Sequence, residues 1–304
     1  MSDIYSEIWR RLSDNETLDG LGLLSRNGRI DLSEISVPLV DCGKALPAQF
    51  EHIHRIDNYL QLTNAKLRLL DFTGANLPHI RFDGCVLEDC VFDQCNAEDW
   101  RIWSTSIRNC SFRKTRLRNS NLGCHSDGRR TSYNCVDFTR ADMRGSHFTY
   151  VEFKDCLFRH TKLNKMDFGA STFDRCVFEG PLHEVCFTRN EYNAPYSPAE
   201  IFSVDFSKAD LHYVEFKGLN MVDVKYPNDG NHIVIDNFKP TLERLITSLI
   251  AYDDPQCLGL IAILESTLRW AGPNQYRGVL SVHDILGVNN NRKLLSIVLE
   301  HLGQ

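Results

Sequence analysis

Four residues with metal-binding side chains lie in two close pairs along the sequence. His52 and His54 are separated by one residue, and His183 lies three residues before Cys186. Imidazole nitrogen and thiolate sulfur are preferred zinc ligands, but a zinc site takes three or four protein ligands. Neither pair is accompanied by the rest of such a set. The sequence therefore predicts no metal site.

Motifs that carry catalysis are also missing from the sequence. It contains no glycine-rich phosphate-binding loop, no nucleophile elbow and no recognisable pair of acid and base residues. We therefore expect a protein that is not an enzyme, with no catalytic residues and no cofactor.

The middle of the chain follows a period of five residues, which matches neither a helix nor an ordinary strand. Large apolar residues occupy every fifth position in three blocks, 62–122, 138–178 and 201–226, and a smaller residue such as Ala65 or Cys85 lies two positions earlier. Each unit thus offers two inward positions, like a very short strand. This pattern predicts a solenoid, whose units bury their apolar faces only against their neighbours. The aromatic residues expected to stack in its core are Phe72, Phe82, Phe92, Phe112, Phe138, Phe148, Phe158, Phe168, Phe178, Phe206 and Phe216.

More than half of the eleven cysteines follow the same rhythm. Those at the small inward position are Cys85, Cys90, Cys95, Cys110, Cys156 and Cys176. A thiol packs there as a compact, weakly polar side chain. Because there is no Cys-x-x-Cys pair and the number is odd, we expect reduced core thiols rather than a disulfide framework.

Individual units resemble the A(D/N)LXX signature of the pentapeptide repeat proteins. The matching segments are Ala75-Asn76-Leu77, Ala141-Asp142-Met143 and Ala209-Asp210-Leu211, with Asp71-Phe72, Asp137-Phe138, Asp167-Phe168 and Asp205-Phe206. The resemblance covers about residues 62–226. It implies a β solenoid of one kind, a right-handed quadrilateral β-helix, in which four units form the walls of one turn and residues 20 apart stack.

Charged residues provide a check on stacking that does not depend on the family. Outward residues one turn apart should prefer opposite charges. Eight opposite pairs at a separation of 20 are Arg68–Glu88, Glu88–Arg108, Asp93–Arg113, Glu98–Arg118, Asp142–Lys162, Lys154–Asp174, Asp155–Arg175 and Arg159–Glu179, whereas Arg81–Arg101 is like-charged. A separation of 15 shows no such excess, but 25 does. Charge alone therefore leaves four or five walls open, and the resemblance favours four.

The same pairing bears on a basic run that could contact phosphates. Its members are Arg101, Arg108, Arg113, Lys114, Arg116, Arg118, Arg129 and Arg130. Acidic residues one turn below three of them would reduce the positive potential, although each surface pair is weak. The sequence therefore argues against direct nucleic-acid binding.

Two interruptions of the rhythm, at 123–135 and 181–199, predict loops that leave the solenoid. Loops on a rigid scaffold commonly carry recognition, although insertions are also tolerated simply because they leave the core intact. The candidate partner-binding residues on these loops are His125, Asp127, Arg129, Arg130, Tyr133, Arg189, Tyr192 and Tyr196.

The flanks differ from the repeat. Residues 1–61 predict an amphipathic helix containing Ile4, Ile8, Trp9 and Leu12, a hairpin turn at Asn27-Gly28, and a cap on the first turn. The pattern in residues 228–304 predicts an α-helical domain, with helices that begin at Pro240 and Pro255 and a last helix near 294–302. The solenoid is then expected to span residues 62–227. The sequence of residues 281–299 weakly resembles a helix-turn-helix motif.

Composition and resemblance together leave two functional hypotheses. With 42% hydrophobic and 24% charged residues, a net charge of −6 and no long apolar run, we expect a cytoplasmic protein without membrane association. The first hypothesis is a protein-interaction scaffold that binds a protein partner through its loops and helical end, with homodimerisation through the C-terminal region. The alternative, implied by the topoisomerase-binding, quinolone-protection subgroup, is a DNA mimic that binds DNA gyrase or topoisomerase IV. A neutral coil rich in arginine counts against DNA mimicry.

Overall fold

A computed structural model describes residues 2–37, 55–56, 59–124, 129–189, 199–252, 254–287 and 291–302. No helix within these ranges is long and apolar enough to span a membrane. Several residues singled out in the sequence lie outside the described residues, namely His52, His54, His125, Asp127, Tyr192 and Tyr196.

The N-terminal segment forms the predicted helix and hairpin. Helix α1 (Ser2–Asp14) buries one apolar face, and Trp9 Nε1 donates a hydrogen bond to the Ser36 carbonyl at 3.1 Å. Strands β1 (Ser25–Arg26) and β2 (Arg29–Asp31) are antiparallel, and their turn places Asn27 and Gly28 at positive φ. Strand β2 then pairs in parallel with the first turn of the solenoid, so its backbone groups are not left open at that end.

The repeat region is built from parallel β-pairs between successive turns of the chain, and in the described part these pairs form four ladders. Ladder A contains β4 (Tyr59–Thr63), β7 (Ile80–Asp83), β9 (Arg101–Trp103), β11 (Asn121–Cys124), β13 (Phe148–Thr149), β16 (Asp167–Gly169), β19 (Cys186–Thr188) and β22 (Glu215–Lys217), with β3 (Arg55–Ile56) antiparallel to β4. Ladder B contains β5 (Lys66–Arg68), β8 (Val86–Glu88), β10 (Ser106–Arg108), β12 (Ser132–Asn134), β14 (Glu152–Lys154), β17 (Thr172–Asp174) and β20 (Ile201–Phe202).

The other two ladders consist partly of single bridges. Ladder C contains β6 (Leu70–Asp71), β15 (Leu157–Arg159), β18 (Val177–His183) and β21 (Asp205–His212), linked through Val91, Ser111 and Asp137. Ladder D runs through Asn76, Asn96, Arg116, Asp142 and Lys162. Uninterrupted turns pair at an offset of 20, as between Leu67 and Leu87.

A residue with left-handed backbone conformation follows most of these short segments. Examples are Asn64, Leu69, His79, Asp89, Lys114, Asp155 and Lys165, with φ between 53° and 60°. An L-residue pays roughly 1 kcal/mol for this conformation, and asparagine, aspartate and glycine tolerate it best. Each five-residue unit therefore consists of two inward positions followed by a corner residue, at which φ is positive.

Aromatic rings fill the solenoid as vertical stacks. One stack runs through Phe72, Phe92, Phe112, Phe138, Phe158, Phe178 and Phe206, with centroid distances of 4.7–5.5 Å. A second contains Phe148, Phe168, Phe187 and Phe216 at 5.2–5.3 Å. The rings stack because successive turns, 20 residues apart where the coil is uninterrupted, place the same inward position above itself at about 4.8 Å. Offset stacks of this kind add to the stabilisation from burial.

The small inward positions hold free thiols and hydroxyls that satisfy the backbone. Cys85 Sγ donates to the Leu62 carbonyl at 3.1 Å, and Thr115 Oγ1 donates to the Phe92 carbonyl at 2.6 Å. The cysteines whose side chains are described are free. Burial raises the pKa of the Cys85 thiol to about 11, so it stays protonated at neutral pH. The prediction of reduced core thiols is confirmed for these residues.

Both interruptions are shorter than predicted. Thr131 and Tyr133 already occupy inward positions, and β12 pairs with β10 and β14. In the second, β18 and β19 continue the coil through Thr188, with Leu182 and Phe187 buried. The five-residue spacing was lost there because the unit from Phe178 to Leu182 has only four residues, which moves the next rings out of phase. Residues 181–189 therefore belong to the solenoid rather than to a loop.

The charge pairs follow the 20-residue register in most cases. Five predicted ion pairs form, namely Arg68–Glu88, Arg108–Glu88, Lys162–Asp142, Arg175–Asp155 and Arg159–Glu179. Three do not: the guanidinium groups of Arg113 and Arg118 lie instead 3.9 Å from Asp137 and 2.7 Å from Asp142, and no ion pair joins Lys154 to Asp174 within the described part. The first interruption adds six residues to one turn, so the offset between the turns on either side of it is 26 rather than 20. Arg116 therefore pairs with Asp142, and the nearby Arg118 reaches the same carboxylate.

Asp142 is the most heavily paired carboxylate of the walls. Burial by itself raises the pKa of Asp142, but hydrogen bonds from Arg144 and Arg118 outweigh burial and hold that pKa well below its usual range. Lys162 adds a third cation at 3.7 Å. Most arginines of the basic run between Arg101 and Arg130 thus form ion pairs with carboxylates of the solenoid walls.

The C-terminal part contains helices, as predicted, together with a small sheet that the sequence did not predict. Strands β23 (His232–Asp236) and β24 (Arg277–Ser281) are antiparallel, and the helices are α2 (Phe238–Ala251), α3 (Leu258–Trp270), α4 (Val282–Leu286) and α5 (Arg292–Leu302). A 3₁₀ turn at Pro255–Cys257 precedes α3. The alternation of Ile233 and Ile235 at buried positions favours a strand. These elements enclose a second apolar core, separate from that of the solenoid.

Candidate functional site

Both interruptions leave the solenoid at the same corner. In each, the described chain ends after a strand of ladder A, β11 or β19, and resumes before a strand of ladder B, β12 or β20. We call this corner, with residues 129–130, 149–152, 169–172, 189 and 199–200, the loop edge. The sequence alone gave no sign that the two interruptions share one side of the rod.

The distance between the interruptions follows from the ladder. Three steps of ladder B separate β12 from β20, through β14 and β17. At about 4.8 Å a step, the two interruptions lie roughly 14 Å apart along the rod. The corners between them carry Tyr150 and Ala170 in left-handed conformation. A single partner surface can therefore contact both interruptions at once.

Arginines lie at both ends of the loop edge. Arg130 has a mostly buried side chain 3.8 Å from Glu152, and Arg189 lies 3.7 Å from Glu200. Arg129 is exposed, and its carbonyl accepts a hydrogen bond from Ser104 Oγ at 3.1 Å. Of these three predicted binding residues, Arg129 offers the most exposed side chain. The other two hold the ends of the interruptions against the walls.

Tyr133 was assigned to the loop from the sequence, and this is wrong. Its ring is 1% exposed, stacks on Phe153 at 5.2 Å, and its hydroxyl donates to the Leu122 carbonyl at 2.7 Å. Because the insertion adds six residues, Tyr133 occupies the large inward position that follows Leu122. It supports the loop edge from below and cannot contact a partner.

The outward faces of the ladders mix both charges. Ladder B alternates residues such as Glu88, Arg108 and Lys154, and ladder D changes from Arg116 to Asp142 to Lys162. On ladder A, Arg81 faces Arg101, with the Arg81 guanidinium 4.7 Å from the Trp103 ring and Arg101 2.7 Å from Asp99. In the described repeat, no ladder has outward residues that are mostly acidic.

A second candidate surface lies where the C-terminal elements pack on the last turn. A cavity of about 570 Å³ separates α3 from β22 and is lined by Phe216, Lys217, Ile263 and Trp270 among others. Lys217 Nζ lies 6.0 Å from the centre of the Trp270 ring. Close by, Gly272 fits against the backbone of Leu219. The cavity is apolar with a few charged groups at its margin.

A cluster of histidines and a carboxylate lies at the same junction. One ligand atom from each of His212, His283 and Asp284 lies within 4.8 Å of the others. His212 ends β21, whereas the other two residues belong to α4. Burial raises the pKa of Asp284, whose Oδ2 accepts a hydrogen bond from the Tyr213 amide at 2.9 Å. The two histidine rings are 4.4 Å apart.

Of the two sequence pairs considered for metal binding, His52 and His54 lie outside the described residues, and the pair of His183 and Cys186 does not form this cluster. His183 stacks beside His212 at 6.4 Å, but Cys186 Sγ instead contacts Thr188 Oγ1 at 3.2 Å. No spacing rule could have found the cluster, because 71 residues separate His212 from His283.

Comparisons with known proteins agree with the repeat pattern. The family model for pentapeptide repeats matches residues 65–99 in eight copies. No curated protein matches the sequence.

Three solved structures are similar over part of the chain. Full-length QnrB1, described as a plasmid-mediated fluoroquinolone resistance protein, is 14% identical, with 51% of this chain and 81% of that chain covered and a TM-score of 0.27. Rfr23 from the cyanobacterium Cyanothece 51142 is 11% identical, with 39% and 88% covered and a TM-score of 0.17. HetL, involved in heterocyst differentiation regulation in Nostoc sp. strain PCC 7120, is 13% identical, with 67% and 88% covered and a TM-score of 0.19.

Proposed function

We propose that this protein, which belongs to the pentapeptide repeat family, is a non-enzymatic scaffold that binds a protein partner through the loop edge. The observation that carries the proposal is that both interruptions leave the rod at one corner, three turns apart. The solenoid between them is packed with stacked rings, so it holds the two loops at a fixed spacing.

The proposal includes the shape and the domain organisation. Four ladders with a 20-residue register support a right-handed quadrilateral β-helix over 62–227. Residues 1–61 would cap one end, since β2 pairs with β6, and residues 228–304 would form a separate domain, since they enclose their own apolar core.

The structure suggests deletions that remove each interruption without disturbing the coil. Removing 125–130 joins Cys124 to Thr131 and restores five positions between Leu122 and Tyr133. Removing 190–198 joins Arg189 to Ala199, which is already buried at the small inward position. Both variants keep all inward residues, so we expect them to fold like the intact chain.

Affinity capture from the native host with these variants tests the proposal. We expect one protein partner to bind the intact chain and to lose at least about tenfold in affinity, or 1.4 kcal/mol, with either deletion. The control replaces Lys114 and Arg140, two exposed corner residues of ladder C, with alanine. A partner that binds both deletion variants as tightly as the intact chain would refute the role of the loop edge.

The DNA-mimic alternative gains no support from the walls. Imitating duplex DNA requires a strongly acidic face, and the outward residues described here mix Arg, Lys, Asp and Glu. A supercoiling assay with DNA gyrase or topoisomerase IV, with and without a topoisomerase poison, separates the two proposals. We expect no change in supercoiling or in poison sensitivity.

Pairing of two copies through the C-terminal region stays a prediction. Ile250, Tyr252 and Leu258 are exposed together near the connection between α2 and α3, and their apolar surface supports self-association. Sedimentation velocity should give a dimer for the intact chain and a monomer for Leu258→Lys. A monomeric intact chain at micromolar concentration would contradict the prediction.

A further inference from the structure

The cluster of His212, His283 and Asp284 has the composition of a metal site. Imidazole nitrogens together with a carboxylate oxygen are common ligands of Zn²⁺ and related divalent transition metals. The three ligand atoms come from two separate elements, β21 and α4, and converge within 4.8 Å. No other group of this kind converges among the described residues.

The geometry needs only a small adjustment to bind an ion. With metal–ligand bonds of about 2.1 Å, two ligand atoms of a tetrahedral zinc site lie roughly 3.4 Å apart. The side chain of His283 is 53% exposed and has room to rotate. The Tyr213 amide donates a hydrogen bond to Oδ2 of Asp284, whereas the buried Oδ1 has no hydrogen-bond partner and lies 3.5 Å from His283 Nδ1, another member of the cluster. A buried carboxylate oxygen of this kind is costly unless a cation or donor satisfies it.

The hydrogen-bond partners of this cluster differ from those of a histidine that the protein alone satisfies. Asp210 Oδ1 lies 2.9 Å from His212 Nε2, and carboxylates beside a metal-binding histidine orient the ring. His232, by contrast, has both ring nitrogens engaged, since Nε2 accepts from the Leu211 amide at 3.0 Å and Nδ1 lies 2.8 Å from Asp229. Hydrogen bonds of the protein therefore explain His232, but they leave Asp284 incompletely satisfied.

We propose that His212, His283 and Asp284 bind one divalent transition-metal ion with the ligand preference of Zn²⁺, and that this ion fastens α4 to the last turn of the solenoid. Three protein ligands leave one tetrahedral position for water. The ion would link residues 71 positions apart in the sequence, and so would stabilise the packing of the C-terminal elements on the repeat.

Isothermal titration of ZnCl₂ into the chelator-treated full chain tests the proposal. We expect one saturable site per chain and a rise in the unfolding temperature with Zn²⁺. His212→Gln and His283→Gln should each weaken binding more than about tenfold and remove that rise. The control His301→Gln, which alters an exposed histidine of α5, should bind as the intact chain does. MgCl₂ should produce neither effect, because Mg²⁺ prefers oxygen ligands.

Two further measurements keep the test decisive. Asp284→Asn retains an acceptor for the Tyr213 amide, so it should fold even if a histidine variant does not, and it should also bind Zn²⁺ more than about tenfold less tightly. Co²⁺ should give the strong visible absorption of a tetrahedral site in the intact chain only. Absence of a saturable site, several equivalent weak sites indicating an adventitious ion only, or unchanged binding by Asp284→Asn and both histidine variants would overturn the proposal.

Discussion

The aromatic stack between the two interruptions makes a quantitative prediction about coupling within the solenoid. Phe158 is fully buried and lies between Phe138 at 5.1 Å and Phe178 at 4.7 Å, with the last pair nearly parallel at 5°. Replacing Phe158 by leucine keeps most of the apolar volume and removes both stacked contacts, together with edge contacts to Phe153, Phe168 and Phe173. We expect Phe158→Leu to lower the free energy of unfolding by about 1–3 kcal/mol, since each of the two stacked pairs contributes about 0.5–1.5 kcal/mol beyond burial.

A double-mutant cycle isolates the stacking term. Phe158→Leu and Phe178→Leu each break the same contact, so the double variant should lose less than the sum of the single losses, by about 1 kcal/mol. The control cycle combines Phe112→Leu with Phe178→Leu, two members of the same stack that are three steps apart. Its losses should add to within about 0.5 kcal/mol.

Urea denaturation followed by circular dichroism measures all five variants against the intact chain. The cycles are comparable only if the slopes of the urea transitions agree. Equal coupling in both cycles would show that the solenoid responds as one unit, and no coupling in the first would show that stacking adds nothing to burial. Either result would refute the nearest-neighbour picture of the repeat.

Three further predictions use positions with a clear physical contrast. A Cβ on Gly272 would meet the Leu219 carbonyl oxygen at 2.0 Å, so Gly272→Ala should lower stability by about 2 kcal/mol or more in urea denaturation, whereas Gly259→Ala, with open space in α3, should raise it by up to about 1 kcal/mol. Cys135 is exposed, so Cys135→Ser should remove one equivalent of the fast reaction with a thiol reagent at pH 8, and an unchanged fast phase would contradict the assignment. Asp142→Asn should cost about 1 kcal/mol at pH 7. Because the folded-state pKa of Asp142 is lowered, that difference should shrink as the pH falls below about 4, the unfolded value, and a constant difference would count against the ion-pair network.

The repeat was predictable because its physical cause is local. Two inward positions and one corner recur in each unit, and the sequence displays them directly in segments such as Ala75-Asn76-Leu77. The same small-then-large signal was present at Thr131 and Tyr133 and at Val185 and Phe187. It was missed because the insertion of six residues and the four-residue unit after Phe178 change the phase. A search that allowed the phase to shift would have found both segments.

The C-terminal sheet and the histidine cluster depend on contacts between distant parts of the chain. Strand β23 pairs with β24 about 40 residues later, across two helices, and helical spacing dominated the pattern between them. His212 and His283 meet only because α4 packs beside the end of β21. Sequence spacing carries information about such sites only when the ligands share one element or one loop.

The two proposed sites lie on different corners of the rod, and this makes their tests independent. The loop edge lies between ladders A and B, whereas His212 is the last residue of β21, a strand of ladder C. A corner can accept an insertion because the inward pair and the ladder hydrogen bonds lie on either side of it. The chain lacking 190–198 keeps β19, β20 and β21 in register, so it should bind Zn²⁺ like the intact chain while losing its partner. If that deletion abolished both, the solenoid itself would have been damaged, and neither site would account for the loss.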